Sequence, residues 1–69
     1  MQPTNEQIEK LLNIKINTNI IYSTKSVGND RYRVNVYEKY YTEGSIIPRT
    51  RMLTSRYLCN QNGLRDITL

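Results

Sequence analysis

Residues 31–41 read Arg-Tyr-Arg-Val-Asn-Val-Tyr-Glu-Lys-Tyr-Tyr. The odd positions Arg31, Arg33, Tyr37, Lys39 and Tyr41 place cations and rings at a spacing of two, which a β-strand turns to one side. Arg presents forked donors to phosphate, and a Tyr ring is a platform on which a base or another Arg stacks. Arg49 and Arg51 repeat the spacing farther along the chain. If the two stretches pair as a hairpin, all seven residues can share one face, and a two-stranded ribbon fits the DNA major groove. The chemistry such residues suit is recognition of phosphate and base. The competing explanation is structural: antiparallel sheets often leave one face wet, and Arg stems shield it.

Catalysis has little to draw on. There is no His, which removes the commonest general acid/base and metal ligand. Cys59 is the only cysteine and reads as a small buried hydrophobe. The six carboxylates show no metal-loop spacing, and Gly28, Gly44 and Gly63 are isolated turn residues with no phosphate-binding pattern. The expectation is a non-enzymatic protein with no cofactor and no metal. The 31–41 stretch also lacks the glycine that the ribonucleoprotein motif of sheet-based RNA readers requires.

A protein-binding module, such as a small inhibitor or adaptor, uses the same residue types, because Tyr and Arg dominate interface hot spots. Ile46 and Ile47 beside Pro48 suit that alternative better than phosphate binding, as does an exposed final strand that could pair with a partner edge. Ile, Asn and Tyr together supply 22 residues, a hint of an AT-rich genome such as many phages have.

The bulk properties frame both alternatives. With 69 residues, 38% of them hydrophobic and neither Trp nor Phe, the core must be built from Ile, Leu, Val, Met and Tyr. A core of that kind contributes only a few kcal/mol net, so homodimerisation or docking on a partner is a natural source of stability. The net charge of +4 is uneven: all six arginines lie in residues 30–69. That favours an anionic partner. The start of the chain has no basic, then apolar signal, and no stretch approaches the ~18 apolar residues of a membrane span. The expectation is a soluble cytoplasmic protein with no membrane contact.

The elements that position these residues follow from pattern. Thr4 and Gln7 fit a capping box, and Ile8, Leu11 and Leu12 follow at helical spacing, predicting a helix over 4–13. Strands are expected at about 18–25, 31–41, 45–59 and 64–69, with turns at Gly28-Asn29 and Asn62-Gly63. Thr42-Glu43-Gly44 predicts a three-residue hairpin loop pairing Tyr41 with Ser45, Tyr37 with Arg49 and Val34 with Met52. That register sets Val34, Val36, Thr50 and Met52 on the core face and both Arg49 and Arg51 on the wet one. Pro48 suggests an edge or bulge, and alternation fails near Thr54. Glu38 reads as a solvated residue near the hairpin tip. The first hairpin is open: a two-residue loop turns Tyr22 to the basic face, a three-residue loop to the helix. The predicted fold is one α+β domain, a short helix on a curved antiparallel meander of about four strands.

Overall fold

A computed structural model describes residues 2–68. Helix α1 spans Asn5–Leu12. Thr4 caps it with the full capping box, its hydroxyl accepting from Gln7 N at 3.3 Å while Gln7 Oε1 accepts from Thr4 N at 3.0 Å. Such a cap stabilises a helix by about 1 kcal/mol. Asn13 closes the other end in the left-handed region at φ 55°. The connector that follows is pinned by side chains: Glu9 Oε2 accepts from Ile16 N at 2.8 Å, and Asn17 Oδ1 accepts from Asn19 N and Ile20 N. Ile14 and Ile16, which also alternate like strand residues, belong to this connector.

Four antiparallel strands follow in chain order, β1 Ile20–Gly28, β2 Arg31–Tyr40, β3 Arg49–Cys59 and β4 Arg65–Asp66. The architecture is therefore α+β, as predicted. The first hairpin turns on Asn29 and Asp30, both left-handed at φ 50° and 58°, with a bulge at Val27 between the Ser26–Tyr32 and Gly28–Arg31 pairs. The bulge restores the parity of the longer loop, so Tyr22 faces the helix and its hydroxyl bonds Asn5 Oδ1. The last turn places Asn62 and Gly63 at positive φ, and β4 is shorter than the expected 64–69; Leu69 lies outside the described residues.

The register of β2 with β3 corrects the expectation. Tyr40 pairs with Arg49, Glu38 with Arg51 and Tyr37 with Met52, so the connection runs from Tyr41 to Pro48. The expected three-residue loop does not form. Thr42–Ser45 closes as a turn on its own hydrogen bond of 3.0 Å, and Ile47 N donates to Ser45 Oγ instead of to the ladder. Pro48 has no donor, so pairing starts only at Arg49. The irregularity near Thr54 is a bulge that leaves Leu53 without a partner between the Val36–Thr54 and Tyr37–Met52 pairs.

Ile8 of α1 packs on Val34, Val36 and Leu58, all fully buried, with Leu11, Leu12, Ile14, Ile16, Ile20, Tyr22 and Leu64 around them. Leu58, not Met52, is the core residue of β3; Met52 is 52% exposed. Because α1 covers only part of the sheet, the β2–β3 hairpin projects past it. The Cα extents of 48 × 21 × 20 Å and radius of gyration of 13.6 Å record this. A chain of this length packed isotropically measures about 11 Å.

Candidate nucleic-acid interface

Alternation from the observed pairs sorts the side chains onto the two faces of the sheet. The face away from α1 carries three successive cross-strand rows. Lys25, Arg33 and Tyr57 form one; Ser23, Asn35 and Ser55 the next; Ile21, Tyr37 and Met52 the third. Lys39 and Thr50 continue the face toward the hairpin tip, and Arg31, Cys59 and Arg65 close it at the opposite end. Of the seven candidates, Arg31, Arg33, Tyr37 and Lys39 are thus brought together.

Arg49, Arg51 and Tyr41 are not. The shorter expected loop had put the two arginines opposite residues of the other parity. In the observed ladder they face Tyr40 and Glu38, on the side of the sheet that bears the core. Arg51 Nη2 lies 3.2 Å from Glu38 Oε1, and its guanidinium sits over the Tyr40 ring, 5.8 Å from the centroid. Glu38 is consequently half-buried rather than a free tip residue. Tyr41 lies beyond β2, in the loop, 60% exposed.

Lys25, Arg65 and Tyr57 take their places. Lys25 was legible only through the unresolved choice of the first loop. Tyr57 and Arg65 depend on the β3 register and on the Asn62-Gly63 turn that brings Arg65 opposite Cys59. The cations Lys25, Arg31, Arg33, Lys39 and Arg65 make no ion pair among the described residues. The two strand carboxylates, Glu38 and Asp66, lie on the other face, paired with Arg51 and Arg56.

Arg33 is held in place. Its guanidinium sits over the Tyr57 ring at 5.8 Å, its Nε donates to Ser55 Oγ at 3.3 Å, and Ser55 donates to Asn35 Oδ1 at 2.6 Å. A cleft of about 370 Å³ opens beside Tyr57, lined also by Val27, Arg31, Ile67 and Thr68. Its outer wall is latched to β3: Ile67 N donates to Tyr57 O at 2.8 Å, and Thr68 Oγ1 accepts from Tyr57 N at 2.8 Å. Asp66 supports the latch by accepting from Thr68 N at 2.9 Å. Burial pushes the Asp66 carboxyl up, but the Thr68 hydrogen bonds and the Arg56 charge together outweigh it and hold the group below its ordinary value. A second cavity, lined by Gln7, Lys10, Leu11 and Leu64, lies beside α1 and includes none of those five cations.

Cys59 is buried, with 4% of its surface exposed. Among the described residues no three of His, Cys, Asp and Glu gather as metal ligands, and no helix is long and apolar enough to cross a membrane. No protein-family model, curated protein or solved structure matches the chain.

Proposed function

We propose that the chain is a non-enzymatic binding protein that contacts nucleic acid through the sheet face opposite α1. One observation carries the proposal: the charge of the protein is sorted by face. Lys25, Arg31, Arg33, Lys39 and Arg65 stand there with no strand carboxylate among them. The other five cations and the six carboxylates of the chain nearly cancel, so the net +4 belongs in effect to this face. A cationic row with Tyr37 and Tyr57 interleaved is suited to phosphates and bases together.

Fluorescence anisotropy with labelled oligonucleotides across a salt series tests this. If most of the five cations meet phosphates, log K falls linearly against log salt with a slope of about −3 to −4.5. Absence of any binding tighter than about millimolar at low salt overturns the proposal.

A second reading, a protein-binding module, draws on the opposite end of the hairpin. Ile46 is 92% and Ile47 70% exposed, with Tyr41, Met52 and Leu53 also open to solvent. Exposed apolar residues grouped near a hairpin tip are the kind of feature that marks a protein-binding surface. Salt-insensitive capture of a protein partner, lost on Ile46→Asp, favours this reading over the first.

A further inference from the structure

We infer that the cleft beside Tyr57 seats one unpaired nucleobase, so that the ligand of the basic face is single-stranded. The inference rests on the nucleic-acid reading and narrows it.

The lining is suited to a flat, mostly apolar group with an anion attached. Val27 and Ile67 offer aliphatic walls and Tyr57 a ring, while Arg31 stands at the cleft with its guanidinium engaged in no hydrogen bond or ion pair among the described residues. The volume of about 370 Å³ lies at the low end of ligand sites and accommodates one base. A base paired within a duplex cannot leave its stack to enter without the cost of unpairing, a few kcal/mol. The ring it would meet is already ordered. Arg33 covers it from β2, Ser55 and Asn35 hold Arg33, and the Tyr57 backbone is clamped by Ile67 and Thr68. Ordering before binding reduces the entropy lost on binding.

The same geometry argues against base specificity. Thr68 Oγ1 is the one hydroxyl other than that of Tyr57 in the cleft, and it is committed to Tyr57 N and Tyr57 O, at 2.8 and 3.5 Å. That leaves stacking, which every base can supply, and Arg31 for the adjoining phosphate.

The test compares a labelled thymidine oligonucleotide of about 12 nucleotides, within the usual single-strand site size, with an abasic phosphodiester of equal length and with a duplex. A uridine oligoribonucleotide reports whether RNA supplies the base as well as DNA. The thymidine strand is expected to bind about tenfold or more tighter than the abasic strand, which carries the same charge. Tyr57→Ala should bring the two together without changing the salt slope, whereas Tyr57→Phe, which keeps the ring, should preserve the difference. Circular dichroism of both variants shows whether the sheet is retained. Equal binding of thymidine and abasic strands by the wild-type protein, or tighter binding of the duplex, overturns the base seat while leaving the electrostatic reading intact. Failure of every strand to bind removes both.

Discussion

At the scale of single residues, ten cations of similar type are made unequal by what stands next to them. Arg33 and Arg51 illustrate it. Arg51 is 65% exposed, but Glu38 faces it across the ladder and neutralises it locally. Arg33 has Tyr57 beneath it, Lys25 and Arg31 as neighbours on the face, and no carboxylate partner. Replacing either with Ala removes one charge from the chain, so long-range attraction to a polyanion falls equally. Only Arg33→Ala is expected to lower the salt slope by about one unit and affinity severalfold; Arg51→Ala should leave the slope unchanged. Anisotropy titrations of both at several salt concentrations check this, and equal slopes for the two variants would count against the assigned face. The residue types for phosphate recognition were plain in the sequence. Which arginines have a carboxylate opposite was not, because that depends on a partner 13 residues away in the chain.

At the scale of elements, local chemistry decided more than distance did. The helix begins at Thr4 and ends at Asn13 because a capping box and a residue that tolerates positive φ stand there. The first hairpin is equally local, with Gly28, Asn29 and Asp30 all at positive φ. Of these, Asp30 is the least suited, since Asn-Gly is the preferred pair for a two-residue turn of this hand. Asp30→Gly should therefore stabilise the protein by about 0.5–1 kcal/mol. That corresponds to a rise of about 2–8 °C in thermal midpoint for a domain of this size. Thermal unfolding followed by circular dichroism decides it; a lowered midpoint would mean that the Asp30 side chain supports the turn. The second hairpin resisted local reasoning. Gly44 is left-handed, at φ 79°, as a three-residue loop requires. The chain nevertheless delays its return through Ser45, Ile46, Ile47 and Pro48.

At the scale of the whole molecule, stability and function occupy opposite sides of one thin sheet. Four fully buried side chains, Ile8, Val34, Val36 and Leu58, form the centre of the core. Ile8→Ala removes the one fully buried residue that α1 contributes, at a cost of about 2–5 kcal/mol. A domain this small has about 3–5 kcal/mol to lose. The variant is expected to be largely unfolded at 37 °C, and retention of a cooperative thermal transition near the wild-type midpoint would contradict the packing described. The sequence by itself determined the helix, the order of strands, the Asn62-Gly63 turn and the alternation that buries Val34 and Val36, since each depends on residues within a few positions of one another. It located the first turn but not its loop, which closes on Asn29 and Asp30 rather than on either expected loop ending at Asn29. The tertiary structure alone decided how β3 lies against β2. Alternation repeats every two residues, so it cannot rank registers, and the bulge at Leu53 shifts the parity again. In the three-residue register Leu58 would stand opposite Gly28, past the end of β2, unable to meet Ile8 and Val34. Lengthening the loop from three residues to eight costs about 1 kcal/mol of closure entropy. Burying Leu58 returns about 1.5–3 kcal/mol. The core therefore sets the register, and the register selects which cations are left together on the open face.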